Sequence, residues 1–362
     1  MDGVSKRIVP VQALRLLAAF AVLVGHAEIA AYHLGRYLGH DLVRPGWLDR
    51  SAFGVDLFFA ISGFVMIHAA RRGLPSGANL ALARRQFAMR RIIRIVPLYW
   101  LMLGFVVAWG WRFGPARDVA DVVHGFAFLP YASAMAQGRI VPPLDVGWTL
   151  NYEMLFYAVF ALCLAARPQI TVARVATVLA VAVACGTALS LPQPLAYWTD
   201  PIVLEFAGGM GIALLHGRGV RLSAPLRLAL LALAVALVLP DWAGPGAGNA
   251  GWNRTVTWGV AGWLVLSAAV LGPCRLPAAP LWNWGGDVSY ALYLVHMPLL
   301  MMAQFVWRHF RLPYGPAQAW AFALGMILAS LLAAAVLHAL FERPVTRWFN
   351  ARLATRRVAA VA

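Results

Sequence analysis

Charge is scarce in this chain. Only 12% of its 362 residues are Asp, Glu, Lys or Arg, whereas 62% are hydrophobic. A soluble domain contains about 45–50% apolar residues, and a soluble fold of this length could place the excess only on its own surface. The scarcity of charge therefore excludes an ordinary soluble domain and a disordered chain. It predicts an all-α integral membrane protein.

Cysteine and acidic residues are also few. The three cysteines, Cys163, Cys185 and Cys274, have no spacing typical of a disulfide or a metal site, so we expect inert packing residues and no bound metal. Only 14 Asp and Glu stand against 30 Lys and Arg. In a soluble protein this balance would suggest nucleic acid, but the cytoplasmic loops of membrane proteins are themselves rich in Lys and Arg. We therefore expect membrane lipid, and no nucleic acid, as a partner.

Ten apolar segments are long enough to be considered as membrane crossings. They lie at about 11–32, 52–70, 93–111, 148–166, 172–190, 200–216, 224–240, 251–271, 283–307 and 317–341. With the N-terminus in the cytoplasm, 21 of the Lys and Arg residues fall on the inner side and 9 on the outer side. This excess predicts about ten transmembrane helices with both termini cytoplasmic. We expect residues 1–345 to form one membrane domain and 346–362 a short basic cytoplasmic tail.

Ionisable side chains interrupt several of these apolar segments. Each one costs about 2.5–3.5 kcal/mol to insert at the centre of the membrane, so each is either a functional residue or half of a buried structural pair. The six that stand out are Arg15, His26, Asp56, Glu153, Glu205 and His296.

Arg15 and His26 lie eleven residues apart in the first segment. At about 100° per residue this spacing is three helical turns plus about 20°, so both side chains leave the same stripe of the helix, about 16 Å apart. A cation and an imidazole aligned in this way connect the inner surface with the middle of the membrane. This alignment favours function over packing.

Asp56 shares one face of the second segment with Ala60 and Gly63, and these small residues permit a close helix crossing. Asp56 and His26 both fall in the outer half of the predicted membrane. We therefore expect the carboxylate of Asp56 to contact the imidazole of His26, fix its tautomer and raise its basicity.

Arg91 and Arg94, at positions i and i+3, precede the third segment. Paired guanidinium groups suit phosphate oxygens. The alternative interpretation is an ordinary basic loop in contact with anionic lipid.

Two further polar stripes occur at helical spacing. A structural network that holds the helices together is the alternative to a functional role for both of them, and for Glu205. The stripes are Thr149, Glu153 and Tyr157 in the fourth segment, and Ser289, Tyr293 and His296 in the ninth.

Seven short motifs contain these residues in a fixed order. They are Arg-x10-His at Arg15 and His26, Phe-x-Val-Asp-x-Phe-Phe-x-x-Ser-Gly-Phe through Asp56 and Ser62, Arg-x-x-Arg at Arg91 and Arg94, Trp-Thr-Leu-x-x-Glu-x-x-Phe-Tyr through Glu153, Leu-Glu-Phe-x-x-Gly at Glu205, Ser-Tyr-x-x-Tyr-x-x-His from Ser289 to His296, and Phe-Glu-x-Pro at Glu342 and Pro344. In this order the chain resembles the membrane-bound acyltransferase-3 family, and within it the branch that acetylates bacterial exopolysaccharides.

The resemblance implies an O-acyltransferase of the bacterial inner membrane. Such an enzyme moves an acyl group, usually acetyl from cytoplasmic acetyl-CoA, to a hydroxyl of a glycan or lipid-linked oligosaccharide. In the family, the histidine matched by His26 is catalytic and the pair matched by Arg91 and Arg94 serves the CoA side. Some members carry a fused esterase-fold domain of the SGNH type; we expect none here, so loops such as 33–51 and 112–147 would recognise the acceptor.

Two chemical routes and two other functions stay open. CoA phosphates would bind Arg91, Arg94 and Arg15, while His26 acts either as a general base or as a nucleophile that carries the acyl group. Asp56 would orient His26. The site would be lined by Glu153, Ser62, Glu205, Ser289 and His296. The other functions are a transporter or flippase of a lipid-linked sugar, and a non-catalytic subunit of a polysaccharide assembly complex.

Overall fold

The computed structural model describes residues 8–40, 50–70, 79–114, 117–133, 136, 138–240 and 251–359. Within these ranges every regular element is a helix, apart from one isolated antiparallel bridge between Ala132 and Ile140. The all-α prediction is therefore confirmed.

Fourteen α-helices lie within the described ranges. In chain order they are α1 (Val9–Tyr37), α2 (Phe53–Ala70), α3 (Leu80–Phe113), α4 (Val119–Ala127), α5 (Trp148–Cys163), α6 (Pro168–Ala188), α7 (Leu195–Trp198), α8 (Leu204–Gly217), α9 (Ala224–Val238), α10 (Trp252–Arg254), α11 (Val260–Val270), α12 (Ala279–His309), α13 (Pro316–Leu337) and α14 (Arg343–Ala359). Two π-helical turns, Thr255–Gly259 and His338–Glu342, join α10 to α11 and α13 to α14.

All ten predicted apolar segments fall on helices. Among the described residues, seven helical stretches are long and apolar enough to cross a membrane, and they include α1, α2, α3, α5, α6, α12 and α13. The apolar helices Pro201–Gly217, which includes α8, and Ala224–Val238, which is α9, are shorter. The count of ten crossings and the cytoplasmic placement of both termini stay predictions.

One face of α13 shows why this protein needs lipid. Leu324, Leu328, Leu332 and Val336 recur every fourth residue and are between 46% and 68% exposed. Residues at this spacing form a single stripe along a helix. A continuous exposed aliphatic stripe is unfavourable in water and is satisfied by acyl chains, so the chain is a multi-pass membrane protein.

The start of α3 differs from the sequence prediction. An apolar run predicts a start near 93, whereas the helix begins at Leu80. The intervening residues are mostly Ala, Leu, Arg, Gln and Met, which are strong helix formers whatever their polarity. Arg91 and Arg94 therefore lie inside a helix and not in a loop that precedes one.

The helices divide into two compact units, and α1 and α12 contribute residues to both. Unit 1 comprises 1–22, 47–83 and 162–289, and unit 2 comprises 23–46, 84–161 and 290–362.

In unit 1, α2 crosses α8 at two glycines. A methyl group on Gly63 would collide with the carbonyl of Phe206, and one on Gly209 would collide with the carbonyl of Ala60. The close crossing therefore requires glycine on both helices. The prediction of a small-residue face on the second segment is confirmed.

In unit 2, part of the core lies between α1, α12 and the residues that lead into α13. Leu34, Leu300 and Phe322 are buried there, and the Tyr314 hydroxyl donates to the carbonyl of Ala31 at 2.6 Å. Burial raises the pKa of Tyr314 to about 12, so its hydroxyl keeps the proton that it donates. These contacts hold α1 against α12, the two helices that carry the histidines described below.

Candidate active site

His26 and His296 form a pair in unit 2. The Nδ1 atom of His26 lies 3.0 Å from Nε2 of His296, and the two rings stack with centroids 5.1 Å apart and an angle of 27° between their planes. His296 is completely buried, whereas His26 is half-buried. The accessible member of the pair is thus the one that the sequence places in the first polar stripe.

The hydrogen bonds define which nitrogen of each ring carries a proton. Nδ1 of His296 lies 3.0 Å from the carbonyl of Leu292, and a carbonyl only accepts, so this nitrogen is the donor. The Nε2 atom of a neutral His296 is therefore an acceptor, and His26 must donate to it from Nδ1. In this tautomer, Nε2 of His26 carries a lone pair, as a general base or a nucleophile requires.

The polar stripes of α5 and α12 meet beside this pair. The hydroxyl groups of Thr149 and Tyr293 are 2.9 Å apart, and Tyr293 also donates to the carbonyl of Val146 at 3.1 Å. The Tyr293 ring centroid lies 6.1 Å from that of His296. A connected set of buried polar groups thus holds the ring that positions His26.

A second cluster in unit 2 surrounds Glu153. Its carboxylate accepts a short hydrogen bond from the Tyr157 hydroxyl. The Arg91 guanidinium lies 5.9 Å from the centroid of the Tyr157 ring and 5.4 Å from that of Phe87. Its Nε atom is buried and has no hydrogen-bond partner among the described residues. Arg94 is close enough to act electrostatically on both Arg91 and Tyr157.

The expected contact between Asp56 and the His26 imidazole is wrong. In unit 1 both oxygens of Asp56 are bound by Arg254, at 2.9 Å from Nε and 2.7 Å from Nη2. Asp56 is completely buried and Arg254 is 6% exposed, and a fully charged fork binds a carboxylate more strongly than an imidazole does. The sequence analysis missed Arg254, although an arginine next to an apolar segment is a signal for such a pair.

The remaining candidates in unit 1 have varied surroundings. Glu205 is completely buried and lies close enough to the Asp56–Arg254 pair to interact with both side chains. Ser289 donates to the carbonyl of Gly286 within its own helix, and Arg15 donates to the side chain of Gln12. Ser62 is half-buried in α2. Their roles in donor or acceptor binding stay predictions.

Residues 10–339 match the acyltransferase-3 profile, which is described as an acyltransferase domain. The chain belongs to the acyltransferase-3 family. The histidine pair, the Glu153 cluster and the Asp56–Arg254 ion pair all lie within the matched range.

Acyltransferase-3 relatives come from several bacteria. The exopolysaccharide production protein ExoZ of Rhizobium meliloti is 32% identical over 275 residues, which are 73% of this chain and 80% of ExoZ. YrhL of Bacillus subtilis, provisionally named a peptidoglycan O-acetyltransferase, is 25% identical over 94% of this chain and 56% of its own length. BcsY of Komagataeibacter xylinus, provisionally named a membrane-bound transacylase, is 27% identical over 80% of this chain and 76% of its own length. No solved structure matches this acyltransferase-3 chain.

Proposed function

We propose that this protein transfers an acyl group, most simply acetyl, from cytoplasmic acyl-CoA to a hydroxyl of an exported glycan in the bacterial inner membrane. The family supports acyl transfer, and the names of its relatives support a glycan acceptor. The observation that carries the proposal is the half-buried His26, whose ring is held by a hydrogen bond from its Nδ1 to a buried histidine. In this tautomer, Nε2 carries the lone pair that the reaction uses.

The same nitrogen serves either chemical route. As a general base, Nε2 of His26 takes the proton of the acceptor hydroxyl while the hydroxyl oxygen attacks the thioester carbonyl. Nε2 then returns this proton to the sulfur, and CoA leaves as the thiol. As a nucleophile, Nε2 attacks the thioester and expels CoA as the thiolate. The acyl-imidazolium then passes its acyl group to the acceptor hydroxyl, whose proton neutralises the thiolate. In both routes, His296 positions the ring of His26 by accepting a hydrogen bond from its Nδ1–H group.

Glu153, Tyr157, Arg91 and Arg94 provide the donor end of the proposed site. The ring centroids of Phe87 and Tyr157 lie 5.4 and 5.9 Å from the Arg91 guanidinium, and the Glu153 carboxylate accepts a hydrogen bond from Tyr157. A guanidinium held beside two rings can bind a phosphate with little loss of side-chain freedom. We propose that it binds the CoA phosphates together with Arg94.

Replacing both Arg91 and Arg94 with Gln is expected to weaken acetyl-CoA binding about tenfold or more, because charge-assisted hydrogen bonds contribute about 1.5–3 kcal/mol each. Binding to the wild type should also weaken as salt rises. Isothermal titration in detergent measures both effects. Replacing both Arg85 and Arg90 with Gln is the matched control, since it removes an equal charge from two exposed positions on the same helix. Equal losses in the control and in the variant that replaces Arg91 and Arg94 would assign the latter two arginines to lipid contact.

The proposed function is tested with purified protein in liposomes that contain a candidate glycolipid. Acetyl-CoA labelled in its acetyl group should yield labelled glycolipid and an equal amount of free CoA thiol. Movement of unmodified glycolipid across the bilayer, with no label transferred, would instead identify a flippase. Absence of both activities in the pure protein, with recovery when other assembly proteins are added, would identify a non-catalytic subunit.

A further inference from the structure

The C-terminal ends of α1, α3 and α12 come together in unit 2 as a surface of aromatic and arginine side chains. We name it the aromatic surface, and it comprises Arg36, Tyr37, Arg112, Phe113, Phe305 and Arg308. The Arg308 guanidinium lies 4.3 Å from the centroid of the Tyr37 ring, and the Arg112 guanidinium lies 4.9 Å from that of Phe113. The Phe113 and Phe305 centroids are 5.2 Å apart. These contacts connect all three helix ends.

Several of these groups are available to a ligand. Tyr37 is 66% exposed and Phe113 is 44% exposed, and Arg36 and Arg112 are also exposed. The Nε atom of Arg308 is buried without a hydrogen-bond partner among the described residues. An arginine that stacks on a ring keeps its outer N–H groups directed away from the ring edge, where they can bind an anion.

The charge of this surface has one sign. Stretches 29–40, 101–114 and 303–315 contain four arginines and no aspartate or glutamate. The loop charges predict that these ends are on the outer side of the membrane, where arginine is normally depleted. Arginines concentrated there are complementary to an anionic partner, and exposed rings pack against the C–H faces of sugars.

The position of the surface relative to the donor arginines follows from α3 alone. Arg94 and Arg112 lie on the same helix, about 27 Å apart along its axis at about 1.5 Å per residue. His26 precedes Tyr37 by eleven residues on α1, which is about 16 Å. The aromatic surface therefore lies at the other end of unit 2 from Arg91 and Arg94, and His26 lies between the two ends.

We infer that the aromatic surface binds the acceptor, and that the acceptor is a membrane-anchored glycan joined to its lipid through phosphate. Sugar rings stack on Tyr37 and Phe113, while Arg112 and Arg308 bind the phosphate oxygens. This inference rests on the proposed function, because it identifies the class of acceptor for the same reaction. It commits to a phosphate-bearing glycolipid, and contact with bulk anionic lipid is the competing outcome.

The test compares two synthetic acceptors with the same sugar, one attached to a polyprenyl chain through pyrophosphate and one attached to a neutral alkyl chain. Arg308→Gln and Tyr37→Leu should each raise the KM for the pyrophosphate acceptor about fivefold to thirtyfold, as expected for loss of a cation–π contact of about 1–2 kcal/mol. The KM for acetyl-CoA and kcat should not change. For the neutral acceptor, Arg308→Gln should have no effect.

Matched controls separate this surface from the general membrane boundary. Arg275→Gln removes an exposed arginine at another helix boundary, and Trp320→Ala removes a 67% exposed aromatic ring near the start of α13. Both controls should leave all kinetic constants unchanged. Three results would each overturn the inference. The controls could raise the KM for the pyrophosphate acceptor as much as the test variants do, or the test variants could leave this KM unchanged. The increase in KM could also disappear in liposomes without phosphatidylglycerol.

Failure of the proposed function gives a different result from failure of this inference. If the wild type transfers no acetyl group, the affinity of the purified protein for the two synthetic acceptors is measured directly by fluorescence anisotropy. If the wild type binds the pyrophosphate acceptor more tightly than the neutral one, and Arg308→Gln does not, the aromatic surface is supported as a binding site independently of acyl transfer. No preference in the wild type contradicts it.

Discussion

His26→Ala is expected to lower acyl transfer by at least about 10²–10⁴-fold, the usual contribution of a general base, and to abolish it if His26 carries the acyl group. The variant removes the nitrogen, Nε2 of His26, that carries the reactive lone pair. The folded state should be retained, because the Nε2 atom of His296 loses one hydrogen bond and no buried charge is left unpaired. Initial rates of label transfer and thermal unfolding of the same preparation measure the two effects.

The matched test of the pair uses His296. His296→Gln keeps an oxygen that can accept a hydrogen bond from Nδ1 of His26. His296→Leu keeps a side chain of similar volume but has no hydrogen-bond acceptor. We expect Gln to retain more activity than Leu, and the pH dependence of kcat to differ between the two variants, since a positioning residue acts through the basicity of His26. Equal loss in Gln and Leu with unchanged pH profiles would reduce His296 to a packing residue. Full activity in His26→Ala would remove His26 from the mechanism.

Arg254→Met is expected to lower the free energy of unfolding by about 3–5 kcal/mol, because it leaves the buried Asp56 carboxylate without its partner. Adding Asp56→Leu should recover most of the loss, since replacing a buried ion pair with apolar side chains of similar volume is often neutral. Thermal and denaturant unfolding in the same detergent measures the three variants.

Arg218→Met is the matched control for this pair. It removes an arginine from an exposed position in the same unit, away from the buried cluster that Asp56 and Arg254 form with Glu205. This replacement should change stability by less than about 1 kcal/mol. A stability of Arg254→Met equal to that of the wild type would show that Asp56 is solvated and not paired.

The sequence predicts what lies along one helix better than what lies across from it. The eleven-residue spacing of Arg15 and His26 and the small face of Asp56, Ala60 and Gly63 depend only on helical periodicity, and the close crossing of α2 is found as expected. The partner of His26 is 270 residues away and that of Asp56 is 198 residues away. Periodicity gives the depth of a residue in the membrane but does not identify the helix that it faces. A pairing of Asp56 with His26 based on their equal depth is therefore wrong.

The start of α3 shows a second limit of sequence analysis. A search for apolar runs stops at the arginines before residue 93, because it measures burial in lipid and not the ability to form a helix. The helix continues back to Leu80 through residues that favour helix but not membrane. The aromatic surface was missed for a similar reason, since its rings come from three helices and each of them alone looks like an ordinary interfacial aromatic.

We expect the acyl group to pass from a donor on the cytoplasmic face to an acceptor on the other face. This passage is tested most directly in sealed vesicles oriented with the cytoplasmic face outward, with acceptor enclosed in the lumen and labelled acetyl-CoA added outside. Labelled acceptor should appear in the lumen with wild-type protein and none with His26→Ala. Transfer only when both substrates are on the cytoplasmic face would contradict it.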